Sequence, residues 1–256
     1  MKPHKAPDKL RLDTALVEGG LVPSREKARA VIMAGLVLVN GDRIDKAGFR
    51  VTRDDDLKVV SPPHPYVSRG GVKLQGALDE LGYDVSGAIA LDVGASTGGF
   101  TDCLLSRGVQ KVYALDVGYG QLAWNLRSDP RVVPIERTNI RHTTPDAFHD
   151  PINLAVIDVS FISLSLVLPN VFTILVPGGC VIALIKPQFE VGRGDVGKGG
   201  VVRDSAKHHR AIDSVAATAR ESGFVVKDTC TSPLIGPKGN MEFFIHLHKP
   251  QERINA

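Results

Sequence analysis

Apolar and polar positions along this chain change rhythm near residue 61. From Leu10 to Val17, and again from Ser24 to Ile32, apolar side chains recur every three or four residues, which predicts two short amphipathic helices. Ser24 suits the N-cap of the second, with Lys27 standing where a capping box would have Glu. The apolar run Leu36–Val39 then meets Asn40-Gly41, a strong hairpin signal, and Val51 and Leu57–Val60 supply further short strands. Together these predict a small α+β domain over residues 1–60. Residues 61–66, Ser-Pro-Pro-His-Pro-Tyr, read as a linker, because proline removes amide donors and stiffens the chain. From residue 67 to 256 apolar strands end near Asp92, Asp116, Ile135, Asp158 and Lys186, with helical patterns between most of them. Two more strands are expected at Phe224–Lys227 and Glu242–Leu247. This alternation predicts an α/β fold with a Rossmann-like, doubly wound, mostly parallel sheet, whose ligands sit at the carboxyl ends of the strands.

Composition narrows the possible environments. No run of eighteen apolar residues occurs, so no membrane span is expected, and the start of the chain does not lead into an apolar signal core. A membrane-lytic protein would need such a segment or a strongly amphipathic one. Cys103, Cys180 and Cys230 form no CxxC pair and no metal cluster, so a reducing, cytoplasmic setting without a bound metal is expected. The net charge of +3 hides an asymmetry: residues 1–73 carry fourteen Lys and Arg against nine Asp and Glu (+5), and the remainder is −2. The basic end is the candidate for meeting a polyanion through phosphate contacts.

Chemistry concentrates after the first strand of the α/β region. There an apolar run ends in Asp92-Val93-Gly94-Ala95-Ser96-Thr97-Gly98-Gly99-Phe100, an acid followed by a glycine-rich turn and a helix. Glycines let a ligand approach the backbone closely. The spacing departs from the G-x-G-x-x-G of dinucleotide sites. Acid-x-Gly-x-x-x-Gly instead resembles S-adenosylmethionine-dependent methyltransferases, a ligand with an amino group and a sulfonium for a carboxylate to face. Asp116 ends the next strand at the distance where an acid accepts hydrogen bonds from ribose hydroxyls. Val117 follows it, and Asn139 stands beyond the third strand as a candidate for the adenine edge. Gly192–Gly199 has the G-x-x-x-x-G-K frame of a phosphate-binding loop but lacks the Ser/Thr that reaches magnesium; it reads as a mobile glycine-rich loop, as does Gly236–Gly239.

The fourth strand end discriminates among reactions. Asp158-Val159-Ser160-Phe161 lacks the Pro-Pro-aromatic run typical of exocyclic-amine methylation, and no cysteine follows a proline as in carbon-five methylation. A hydroxyl acceptor needs a base and cations for the developing alkoxide charge. Lys73, Lys186 and Glu242 lie where they can serve. Lys73, Asp158, Lys186 and Glu242, in that order, match the tetrad of the heat-shock-type (FtsJ-like) RNA 2′-O-methyltransferases.

Two resemblances then cover residues 9–248. Arg11-Leu12-Asp13, Ser24-Arg25-Glu26-x-Ala28 and Gly35-x-Val37-x-Val39-Asn40-Gly41 resemble the RNA-binding module named after ribosomal protein S4. Ser68-Arg69-Gly70-x-x-Lys73-Leu74, the turn at 92–100, Asp116–Leu122 and Lys186–Glu190 resemble the TlyA-type (hemolysin A) family. These imply methyl transfer from S-adenosylmethionine to the ribose 2′-hydroxyl of cytidine in ribosomal RNA or ribosomal subunits. Lys186 would be the general base, Lys73 and Asp158 would align the hydroxyl, and Glu242 would hold the lysines. Asp92, Gly94, Ser96, Thr97, Gly98, Asp116, Val117, Asn139 and Asp158 would bind the cofactor. Arg11, Ser24, Arg25, Lys27, Arg43 and Arg69 would meet RNA. Some family members carry a linker aromatic that couples RNA docking to cofactor binding; here the segment is proline-rich, with Tyr66 the nearest aromatic. The alternatives are a membrane-lytic protein and a catalytically inert RNA-binding protein.

Overall fold

Leu10 and Arg11 form a strand where helical periodicity predicts a helix: β1 (Leu10–Arg11) pairs antiparallel with β4 (Arg50–Val51). Arg11 is extended and the helix begins one residue later, so backbone pairing with Val51 overrides the local pattern. The computed structural model describes residues 9–33, 35–60 and 64–251. The chain divides into two units, residues 1–65 and 66–256.

In the first unit α1 (Leu12–Glu18) packs on α2 (Arg25–Met33), and β2 (Val37–Val39) pairs with both β3 (Asp42–Arg43) and β5 (Leu57–Val59). Leu12, Leu16, Ala28, Ile32, Val37 and Val51 are its buried core. Asn40 and Gly41 both have positive φ, which closes the β2–β3 hairpin as the Asn-Gly pair predicts.

The second unit opens with α3 (Arg69–Leu81), capped by Ser68, whose Oγ accepts from Gly70 N at 3.3 Å. Then come β6 (Ile89–Val93), α4 (Gly99–Ser106), β7 (Lys111–Leu115), α5 (Trp124–Arg127) and β8 (Val132–Ile135). Only three-residue 3₁₀ turns join β8 to β9 (Leu154–Ile157). After them follow α6 (Leu168–Ile174), β10 (Cys180–Ile185), α7 (Pro187–Glu190), α8 (Ser205–Glu221), β11 (Val225–Thr231) and β12 (Phe243–His248). The seven strands lie in the order β11-β12-β10-β9-β6-β7-β8, with only the pairings of β12 antiparallel. Every residue of β9 and β10 is buried, as expected for parallel strands covered on both faces. Leu74, Leu78, Leu104 and Phe244 belong to the core of one face, and Val171, Val215, Ala219 and Ile245 to that of the other. The strand order reverses between β6 and β9, which opens a crevice at their carboxyl ends.

One expectation is corrected here. Tyr66, assigned to the linker, is buried in the second unit; its hydroxyl donates to Gln75 Oε1 at 3.1 Å, and its ring fills the place a Cβ at Gly71 would take. Ser61–Pro63 lie outside the described residues. In the segment 192–199, Asp195 pairs with Lys207 at 2.9 Å and Arg210 at 3.3 Å, both on α8.

Candidate active site

The turn after β6 is built by its glycines and by two aspartates. Gly94 (φ +85°) lies so close to the next strand end that a Cβ would come within 2.6 Å of the Asp158 carbonyl oxygen. Gly98 (φ +96°) starts α4, and a Cβ there would strike Leu126 at 2.3 Å. Asp92 is fully buried, and its Oδ2 accepts from both Thr101 N (2.9 Å) and Thr101 Oγ1 (2.6 Å), which ties β6 to α4. Burial pushes its carboxyl up to about 7, helped by the charges of Asp158 and Asp116 and opposed by the Thr101 bonds. Asp92 therefore shapes the turn from beneath rather than facing open space. Asp116 ties the next two turns together: Oδ2 accepts from Ser96 N at 2.8 Å and Oδ1 from Gly118 N at 2.7 Å. Ser96, Thr97 and Val117 are exposed around it, Val117 by 69%. Asn139 is exposed beyond β8 and caps a 3₁₀ turn, its Oδ1 accepting from Arg141 N.

Beside this turn the sheet gathers two ion pairs. β9 and β10 run parallel, so Asp158 and Lys186 leave the same edge; β12 runs the other way, so Glu242 precedes its first residue at that edge. Lys73, on α3, reaches over to Glu242, Nζ to Oε2 2.5 Å. Lys186 Nζ lies 2.6 Å from Asp158 Oδ1 and donates to Ser160 Oγ at 2.9 Å. Glu242 thus holds Lys73 alone, which corrects the expectation that it holds both lysines: Asp158, on the adjacent strand, is the nearer partner of Lys186. Lys73, Lys186 and Glu242 are buried. Among the described residues, Asp92 Oδ1, Asp158 Oδ1 and Glu242 Oε1 are buried without a hydrogen-bond donor; the Asp158 oxygen has its ion pair but not hydrogen-bond angles. Phe161, with φ +65° and 91% exposure, projects at the same edge, its ring 5.1 Å from that of Phe189. No three or more His, Cys, Asp or Glu side chains gather to hold a metal ion among the described residues.

The first unit has a different charge arrangement. Asp13, fully buried, accepts from Arg11 Nε at 3.0 Å, Arg25 Nη2 at 3.3 Å and Arg29 Nε at 3.4 Å. The Arg11 hydrogen bonds, with those of Arg25 and Arg29, hold its carboxyl far below the usual range against the opposing effect of burial. All three arginine side chains remain about half exposed, at 42%, 54% and 55%. Ser24 Oγ accepts from Lys27 N at 3.2 Å; Lys27 is exposed, and exposed Arg43 lies against Gly35. Arg69, in the second unit, donates to the Ile235 carbonyl at 2.9 Å. Ser160 and Arg29 are additions to the residues read from sequence. Arg29 was findable, one helical turn beyond Arg25.

A seven-stranded sheet in this order, with a glycine turn after β6 and an acid at the end of β7, defines a methyltransferase of the Rossmann-like class. Residues 66–249 match the FtsJ-like methyltransferase family and residues 10–57 the S4 domain. The chain is 47% identical over 244 residues to the 16S/23S rRNA (cytidine-2′-O)-methyltransferase TlyA of Mycobacterium tuberculosis (strain H37Rv), covering 95% of this chain and 91% of the relative. A solved structure from Streptococcus thermophilus is 46% identical and covers 97% of this chain and 92% of its own, with a TM-score of 0.73. At 16% identity, an S-adenosylmethionine-dependent methyltransferase from Mesorhizobium loti shares the fold (TM-score 0.51, 68% of this chain, 96% of its own). The chain belongs to the FtsJ-like methyltransferase family, in its TlyA-type group, and carries an N-terminal S4 domain.

Proposed function

We propose that this protein transfers a methyl group from S-adenosylmethionine to the ribose 2′-hydroxyl of cytidine in ribosomal RNA, of the small subunit, the large subunit or both. The observation that carries the reading is the two ion pairs beside the glycine turn, the buried Lys73–Glu242 pair and the Lys186–Asp158 pair, in which Asp158 is partly exposed. S-adenosylmethionine supplies an electrophilic sulfonium methyl. The turn at Gly94, Ser96, Thr97 and Gly98, shaped from beneath by Asp92, would hold it, with Asp116 toward its ribose hydroxyls, Val117 and Asn139 toward its adenine, and Asp158 toward its donors. Lys186, deprotonated or sharing a proton with Asp158, takes the hydroxyl proton as the oxygen–methyl bond forms and the sulfur–methyl bond breaks. Lys73, steadied by Glu242, offers a cation to the developing alkoxide and, with Asp158, aligns the oxygen for in-line attack. Phe161 gives an unstacked base an exposed ring.

In this reading residues 1–60 dock RNA, residues 61–65 link, and residues 66–256 catalyse, in the cytoplasm. Arg11, Ser24, Arg25, Lys27, Arg43 and Arg69 would meet RNA, and Arg29 joins them. None of the described helices is long and apolar enough to cross a membrane. The test is incubation of purified protein with labelled S-adenosylmethionine and unmethylated ribosomal RNA or subunits. Label should enter cytidine ribose with wild type and not with Lys186→Ala. RNA binding without label in wild type would leave an inert binding protein, and lysis of membranes by protein lacking transfer would favour the lytic alternative. Full activity in Lys186→Ala overturns the mechanism.

A further inference from the structure

Two residues before Glu242, Asn240 is buried at 2% exposure, and its side chain holds the backbone of residues 200–202. Its Oδ1 accepts from Val202 N at 3.0 Å, and its Nδ2 donates to the Gly200 carbonyl at 3.0 Å. Its own carbonyl accepts from Gly236 N at 2.8 Å. Gly236 in turn sits against the Glu242 carboxylate, where a Cβ would come within 2.0 Å of Oε1. One buried amide therefore joins the segment 236–242, which carries Glu242, to residues 200–202.

Those residues belong to a small hairpin. Gly197 and Val201 form an antiparallel bridge, and Gly200 N donates to Gly197 O at 3.0 Å across Gly199 and Gly200, both left-handed in φ. The carbonyl of the next residue, Val202, accepts from His208 Nε2 of α8 at 2.8 Å. At the tip Lys198 is exposed, and Lys238, also exposed, has its Nζ 3.8 Å from where a Cβ at Gly200 would be. Two ammonium groups thus stand on two loops that Asn240 ties together. Movement of either loop alone would leave the buried Asn240 amide and its backbone partners at 200–202 unpaired.

We propose that Asn240 is a positioning residue for the Lys73–Glu242 pair, and that seating of the 197–201 hairpin on RNA phosphates through Lys198 sets that pair for transfer. This rests on the methyl-transfer reading above. The full-length protein tests it, with kcat and KM measured on unmethylated ribosomal RNA and S-adenosylmethionine affinity measured by calorimetry. Asn240→Ala should lower kcat about tenfold with cofactor affinity within about twofold of wild type, and should add less than about twofold in a Glu242→Gln background. Lys198→Ala, at an exposed site, should raise KM for RNA about threefold or more. Retained kcat in Asn240→Ala, joint loss of cofactor binding, or full additivity with Glu242→Gln overturns the positioning role. If Asn240→Ala does not fold, an unchanged KM in Lys198→Ala overturns the proposal. Wild type that labels no RNA overturns the methyl-transfer reading instead, so the two failures are distinct.

Discussion

Both units of this molecule match carboxylates to cations, yet in opposite ways. In the second unit two carboxylates meet one lysine each, Glu242 with Lys73 and Asp158 with Lys186, and all of these but Asp158 are buried. In the first unit a single carboxylate, Asp13, meets three arginines that stay about half exposed. One-to-one pairing leaves little net charge and fixes donors and acceptors where a proton has to move. One-to-three pairing leaves an excess of positive charge fanned outward on rigid stems, suited to a polyanion whose position matters more than its chemistry. Reaction and docking call for different ratios of the same groups.

Separate perturbations should break the two ratios independently. The largest effect is expected at the one-to-one site, where Lys186→Ala should cut methyl transfer about a hundredfold or more while RNA affinity holds, measured by label incorporation and filter binding. Equal loss of both would merge the two regions into one. At the one-to-three site, replacing Arg11, Arg25 and Arg29 together by Ala should weaken RNA binding and flatten its salt dependence by about two units of log–log slope. A slope equal to wild type would mean that the arginines serve Asp13 alone.

The pH dependence sharpens the contrast. Because burial raises Asp92 to about 7, the folded chain holds a proton that the unfolded chain releases near pH 4. Its contribution to stability is therefore full below about pH 4 and is lost as pH rises through about 7. Asp13 has the opposite sign: its lowered carboxyl stabilises above the ordinary range and loses that contribution only in strong acid. Thermal melts from pH 5 to 8 should show Asp92→Asn flattening a decline present in wild type; an unaltered curve would remove Asp92 as its source. The smallest effect is expected at Ser24→Ala, about 0.5 kcal/mol from loss of an exposed cap, read from urea unfolding.

Much of this arrangement was legible in the chain because strand ends are legible. Asp116, Asp158 and Lys186 each close an apolar run, and the parallel alternation brings such ends to one edge. Asn40-Gly41 announced its hairpin for an equally local reason, positive φ at both positions. What stayed hidden depends on partners distant in sequence. Helical spacing placed Leu10 and Arg11 in a helix, but pairing with a strand forty residues away decided otherwise. Asp92 was read as facing a ligand, and only packing by α4 shows it lying beneath the turn. Tyr66 was assigned to the linker by its proline neighbours, although the hollow over Gly71 claims its ring. That Lys73 and Lys186 choose different carboxylates follows from which strands are neighbours, a fact of topology that spacing alone does not carry.

The position of β12 bears on how the protein is made. The last strand in sequence lies between β10 and β11 in space, and Glu242 stands at its start. A growing chain can pair β6 through β10 as they emerge, but Lys73 has no carboxylate until the final segment has left the ribosome and slotted between its two neighbours. The edge that carries Asp158 and Lys186 is therefore completed only when β12 is in place. A chain clipped before β12 would carry Arg11, Arg25 and Arg29 but leave Lys73 without Glu242.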